Sequence, residues 1–191
     1  MEPTIIDDFI PIAYQDSILG MLTGHEFPWN IHPYSVSRAP ITDYYTDVPT
    51  KDHIQFRHMF MEDDVSHSKF CEYMKPLTMC FENIYGSIET RQRIKANLLM
   101  KQDGPHLQHP HSDIGGVGTN SKTLLYYVND SDGDTVLYNE YYYESTIGLL
   151  TRQQTISPKK GRAVIFDSHQ IHSACCPAIS DYRIVINMIL S

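Results

Sequence analysis

Three groups in this 191-residue chain have the residue types and spacing of a reactive site: His109-Pro110-His111-Ser112-Asp113, the pair His169 and His172, and Arg183. In an extended strand, residues i and i+2 share one face. His111 and Asp113 are therefore expected to aim together at a single metal ion. Two histidines and one carboxylate fill one face of an octahedron and leave positions open, the set that suits non-haem Fe(II). His172 is the expected third ligand, because Ser173-Ala174-Cys175 continues it into an apolar strand. His169 falls in the turn Asp167-Ser168-His169-Gln170 and is expected at the surface. His109 shares a face with His111 if the strand is regular, but Pro110 disturbs the register, so His109 is expected in the wall of the site. His25, His32, His53, His58 and His67 lie in irregular or helical segments and are expected at the surface.

Arg183 opens an otherwise almost wholly apolar strand, Arg183-Ile184-Val185-Ile186-Asn187-Met188-Ile189-Leu190. A guanidinium at such a place either reaches out to solvent or needs an anionic partner. Its planar fork suits a carboxylate held through two contacts. Eleven residues separate it from His172, and a hairpin of that length would return the chain to the metal.

The elements that position these groups divide the chain into two halves. Residues 94–191 read as short apolar or β-branched strands separated by turn signals such as Asp103-Gly104-Pro105 and Pro158-Lys159-Lys160-Gly161. The strands expected are 94–101, 123–128, 135–138, 153–156, 163–167, 171–175 and 183–190. So many short strands suggest a sandwich or jelly roll. In residues 1–93, Thr4–Phe9 reads as a strand and Ala13–Leu22 as a helix. Residues 26–62 read as irregular, and Ser66–Tyr85 as a helix with a kink or a break expected near Tyr73, because Pro76 falls inside it. The expectation is one α+β domain over 1–191, with supporting helices and loops in 1–93 packed on one sheet of a jelly-roll core in 94–191.

Composition narrows the partners. The formal net charge is −8, the opposite of the basic excess that drives phosphate binding, so no nucleic-acid partner is expected. No apolar run of about 20 residues occurs, and no membrane span is expected. The acidic start Met1-Glu2 through Asp7-Asp8 does not read as a secretory signal. Cys71, Cys80, Cys175 and Cys176 read as reduced thiols, which places the chain in the cytoplasm.

His111-x-Asp113, His172 and Arg183, taken in order, resemble the 2-oxoglutarate/Fe(II)-dependent dioxygenase superfamily, especially its prolyl 4-hydroxylase-like branch. The segments Thr123–Asn129, Gly133-Asp134-Thr135 and Pro158–Asp167 also resemble that branch. The resemblance covers 94–191 well and the first half loosely. It implies a double-stranded β-helix, a jelly roll with helices behind one sheet. It implies Fe(II) on His111, Asp113 and His172, 2-oxoglutarate as co-substrate with its C5 carboxylate on Arg183 and Tyr127, O2 as oxidant, and Asn187 near the metal and Asp113. The implied activity is hydroxylation of an unactivated C–H bond in a peptide or small molecule, a prolyl or other amino-acid side chain being the nearest analogue. Two departures stand out. The His172-to-Arg183 gap is one residue longer than the usual spacing, and Met100-Lys101-Gln102 stands where the family often carries a tyrosine. A cupin-like module that binds metal without turnover, a zinc hydrolase and a nucleobase-demethylating oxygenase are the alternatives. The last expects a second arginine after Asn187, which this sequence lacks. The tyrosine-rich stretch Tyr138–Glu144 is a candidate substrate-gripping loop, or else an edge strand or packed loop.

Overall fold

A computed structural model of the chain describes residues 2–34, 44–114, 120–142 and 148–191. The elements in order are β1 (Thr4–Ile6), α1 (Ile12–Leu22), β2 (Asn30–His32), β3 (Tyr44–Tyr45), β4 (Gln55–Glu62), β5 (Val65–Ser66), a 3-10 turn (Cys71–Met74), α2 (Lys75–Tyr85), β6 (Arg91–Met100), β7 (Lys122–Tyr127), β8 (Thr135–Tyr141), β9 (Gly148–Leu149), β10 (Arg152–Ile156), β11 (Ala163–Asp167), β12 (Gln170–Ala174) and β13 (Tyr182–Leu190). One large sheet runs β1-β11-β7-β13-β6-β4-β2, with β5 attached to β4. A small sheet, β10-β8-β12, faces it, and β3 pairs with β9 in parallel.

Strand alternation sorts the large sheet into two faces. On β13, Ile184, Ile186 and Met188 join Phe60, Ile94, Ala96, Leu124, Tyr126 and Ile165 in one cluster with Ile18 and Leu22 of α1 and Leu77 and Phe81 of α2. The opposite face brings Leu125, Tyr127, Val164, Phe166 and Val185 against Leu137 and Ile156 of the small sheet. Arg183 and Asn187 share parity with Val185, so β13 carries them into the space between the sheets. The α+β jelly roll with helices behind one sheet is thus the observed architecture.

Several local expectations need correction. The helix read over Ser66–Tyr85 is shorter: Ser66 ends β5, Cys71–Met74 is a 3-10 turn, and α2 starts at Lys75. Pro76 sits in the first turn of α2, where its missing N–H costs nothing; further inside, its ring would clash with a carbonyl. Gly86 takes φ +91° and its N–H closes the helix on Glu82 O, a conformation that favours glycine. Residues 26–62 are not irregular throughout, because Gln55–Glu62 forms β4, an eight-residue strand paired along β6. His58 is consequently buried, not exposed. Its Nδ1 donates to the Pro28 carbonyl at 2.8 Å and its Nε2 lies 2.7 Å from Ser68 Oγ.

The link between the distal histidine and Arg183 also differs from expectation. It is not a hairpin: β12 belongs to the small sheet and β13 to the large one. The chain crosses between sheets, and Asp132 holds the crossing. Its carboxylate accepts the N–H groups of Ala178, Ile179 and Ser180, each at 2.9 Å. Tyr138–Tyr141 of the tyrosine-rich stretch lie in β8, the central strand of the small sheet, with Tyr138 fully buried. Tyr142 packs on the Leu107–Ile171 cluster, and Tyr143 lies outside the described residues. All four cysteines are free thiols. Among the described residues, no helix is long and apolar enough to cross a membrane.

Candidate metal centre

His111, Asp113 and His172 offer ligand atoms that lie within 4.8 Å of one another. The way they meet differs from the expected strand. His111 lies outside any named strand and makes an isolated bridge with His172. Its N–H donates to His172 O at 2.9 Å, and the His172 N–H donates back to His111 O at 2.8 Å. This exchanged pair sets the two rings 4.5 Å apart, centroid to centroid. Asp113 is fixed separately, by its N–H on Ser168 O at 3.1 Å. The Nδ1–H of His172 donates to Gln170 O at 3.0 Å and that of His111 to His109 O at 3.3 Å, which leaves Nε2 of each ring for a metal.

The Asp113 side chain is buried and gathers donors on both oxygens. Arg93 Nη2 reaches Oδ1 at 2.7 Å; Thr123 Oγ1 and Asn187 Nδ2 reach Oδ2 at 2.8 and 3.0 Å. Burial by itself raises the pKa of this carboxyl, but His172, Arg93 and Lys95 around it outweigh that and hold it well below the usual carboxylate range. Burial, reinforced by the facing His172, pushes His111 down to about 3. An ionised carboxylate and a neutral imidazole are the forms that bind a metal. Arg93 and Thr123 escaped the sequence reading: Arg93 sits in a polar run that looks solvent-facing, and Thr123 looks like a strand residue only. Removing such outer contacts costs about 10- to 100-fold in metal affinity. Arg93→Met is therefore expected to weaken Fe(II) binding by that factor in anaerobic calorimetry, and an affinity within about threefold of wild type would refute its role.

His109 and His169 stand apart from the group. His109 Nδ1 is 2.8 Å from Thr50 Oγ1, and His109 does not line the cavity. His169 is not on the surface as expected; it is 6% exposed, with Nδ1 donating to Asp167 Oδ1 at 3.1 Å. His169 does sit in a turn, but the contact to Asp167 folds its ring inward.

The cavity that holds the triad also holds Arg183. Arg183 is 2% exposed. One amino group, Nη2, donates to Thr135 Oγ1 at 2.8 Å, which also receives the Tyr127 hydroxyl at 2.7 Å. The guanidinium carbon lies 5.5 Å from the Tyr127 ring centroid. Nε has no hydrogen-bond partner, and no carboxylate pairs with Arg183 among the described residues. A buried cation in that state calls for an anion from outside the chain. Tyr127 does not itself line the cavity; its hydroxyl acts on Thr135. Gly133 makes room for this arrangement, since a Cβ there would come within 2.6 Å of Cys175 O and 2.9 Å of Arg183 Cδ. Overpacking of this kind costs about 1–3 kcal/mol, so Gly133→Ala is expected to weaken binding of an anion at Arg183 by roughly 5- to 150-fold. Unchanged affinity for 2-oxoglutarate in this variant would show that the neighbours yield freely.

The sequence profile of the 2OG-Fe(II) oxygenase superfamily matches residues 97–191, about half of the chain and the half that carries this site. The chain belongs to the 2OG-Fe(II) oxygenase superfamily. No curated protein matches it in sequence. Solved structures with the same fold include a prolyl hydroxylase from Trichoplax adhaerens in complex with a peptide fragment of the hypoxia-inducible factor oxygen degradation domain. It is 16% identical with TM-score 0.64, over 98% of this chain and 82% of that one. A prolyl-4-hydroxylase from Pseudomonas putida is 12% identical with TM-score 0.60, over 98% and 91%. The epimerase SnoN, with Fe3+, α-ketoglutarate and nogalamycin RO, is 11% identical with TM-score 0.61, over 98% and 78%. At these identities the likeness establishes the fold. The superfamily's cofactors are Fe(II) and 2-oxoglutarate, and the site fits both: a two-histidine, one-carboxylate group for the metal, and a buried, unpaired guanidinium for a carboxylate.

Proposed function

We propose that this oxygenase hydroxylates an unactivated C–H bond of an amino-acid side chain, free or in a peptide, with proline as the nearest analogue. The observation that carries the reading is Arg183, buried without an anionic partner in the cavity that holds His111, Asp113 and His172. A module that only bound metal would have no use for a buried cation there. Support for an amino-acid substrate comes from the prolyl hydroxylases that share the fold.

When bound, Fe(II) and 2-oxoglutarate supply the oxidising power, with O2 consumed and succinate and CO2 formed. The chain's own residues do the rest. His111, Asp113 and His172 would hold Fe(II) and leave positions open. Arg183 would orient the co-substrate by its C5 carboxylate, and Tyr127, through Thr135, would fix the guanidinium. Asn187, Arg93 and Thr123 would keep Asp113 ionised and aimed. Leu125 and Val185 line the same cavity and would exclude water from the reacting centre.

The test is succinate release from the iron-loaded protein with 2-oxoglutarate, in the presence of free amino acids or proline-containing peptides, with mass spectrometry of the acceptor. Gain of one oxygen atom on an aliphatic carbon is expected. Turnover that leaves every amino acid and peptide unchanged would overturn this substrate reading.

A further inference from the structure

The inner face of β6 carries a second unpaired cation. Lys95 lines the cavity beside His111, Asp113 and His172. In the sheet it lies opposite Asn187 on β13, which itself touches Asp113, and opposite Met59 on β4. Directly opposed side chains have Cβ atoms about 4.5–5.5 Å apart, so Lys95 is one strand away from the metal centre. No hydrogen bond or ion pair engages it among the described residues. Arg93, its neighbour on the same face, is already committed to Asp113. Asp113 is the sole carboxylate of the described cavity lining, and Arg183 is its other cation.

Charge balance gives this cation a use. A divalent metal on the triad would share the Asp113 charge with Arg93, whose side chain also reaches solvent. The two carboxylates of 2-oxoglutarate would answer the metal and Arg183. Lys95 is then left without an anion in a largely desolvated place, which is costly for an ammonium. Burial, with Arg93 adding to it, already pushes its pKa well below the ordinary lysine value, a strain that an arriving anion would relieve. Two residues along the same strand and facing the same cavity, Asn97 has a buried Oδ1 with no donor. A bare cation and a bare acceptor side by side describe a ligand with a carboxylate and an N–H or O–H donor close together.

We propose that Lys95 and Asn97 are the substrate anchor, and that the molecule oxidised is a small carboxylic acid, in the simplest case a free α-amino acid. Its carboxylate pairs with Lys95 and its donor reaches Asn97 Oδ1. The proposal rests on the oxygenase reading above and narrows it, since an internal residue of a peptide offers no backbone carboxylate.

The experiment uses the anaerobic protein loaded with Fe(II) and 2-oxoglutarate. Free L-amino acids, their primary amides and capped peptides containing Asp or Glu are titrated in by calorimetry, and succinate release is followed in air. At least one free acid is expected to bind. Loss of one member of a desolvated charge pair costs about 2 kcal/mol or more, or roughly 30-fold. The amide of that acid should bind weaker by at least this factor, and so should the acid itself to Lys95→Met. The loss of acid affinity in Lys95→Met should exceed any loss of 2-oxoglutarate affinity by about tenfold, since the two anions have separate anchors. Equal binding of acid and amide, binding by no free acid, or equal losses for acid and co-substrate each overturn the proposal. Binding only by the capped acidic peptides moves the carboxylate to a side chain and overturns the small-acid class. Where the visible Fe(II)–2-oxoglutarate band does not form, the underlying oxygenase reading fails; where it forms and acids are ignored, Lys95 alone has been misassigned.

Discussion

Replacing Arg183 with alanine is expected to weaken 2-oxoglutarate binding by roughly 30- to 4,000-fold, the equivalent of about 2–5 kcal/mol for truncating one member of a buried charge pair. The expectation comes from the guanidinium's surroundings. It is 2% exposed, it spends one donor on Thr135, and its Nε is unpaired. Arg183→Lys should recover part of the affinity, since one ammonium cannot reproduce the two-pronged contact. Fe(II) affinity should persist in both variants, because Arg183 is not a ligand. Anaerobic titration of 2-oxoglutarate, followed through the visible band of the iron chelate, measures the effect. The other candidate anchors outside the cavity are already occupied: Arg162 is paired with Asp7 and Lys101 donates to Ile179 O. Unchanged affinity in Arg183→Ala would therefore transfer the co-substrate to Lys95, the other cation of the cavity lining.

Loss of any triad member should be more severe. His111→Ala, Asp113→Ala and His172→Ala are each expected to abolish Fe(II)-dependent succinate formation, because a three-ligand site cannot spare one ligand. Asp113→Ala has a second cost: Asn187 Nδ2 loses its acceptor, while Arg93 keeps only Asn187 Oδ1 at 3.3 Å and Thr123 only Ser168 Oγ at 3.1 Å. Part of its effect would show as lowered thermal stability, by about 1–3 kcal/mol for groups left unsatisfied. His109→Ala and His169→Ala should retain measurable turnover, since neither belongs to the group of converging ligand atoms. Metal binding by calorimetry and turnover by succinate release decide the matter together. An active His172→Ala beside an inactive His169→Ala would exchange the distal ligand.

The order and types of the reactive residues are local facts, and the sequence alone determined them. His-x-Asp, a later histidine and an arginine opening an apolar strand can be read without knowing what touches what. The strands of the second half were legible for the same reason: alternation, β-branched runs and turn residues are properties of neighbours in the chain. Tertiary structure decided how the ligands meet. His111 and Asp113 converge through a backbone exchange with His172 and a bond to Ser168 O, not through a shared strand face, and no local pattern encodes a pairing across some sixty residues. It also decided that β12 and β13 lie in different sheets, so that Arg183 and His172 approach one cavity from opposite walls. β4 was hidden because its inner face is polar: Gln55 and Arg57 break the hydrophobic pattern that marks a strand. The strand over 94–101 was legible, but nothing in the polar residues Arg91-Gln92-Arg93, Lys95 and Asn97 marks them as facing inward. Only the sheet that closes over them turns Lys95 and Asn97 into cavity groups and brings Arg93 onto Asp113, because desolvation belongs to the surroundings of a side chain and not to its neighbours in sequence.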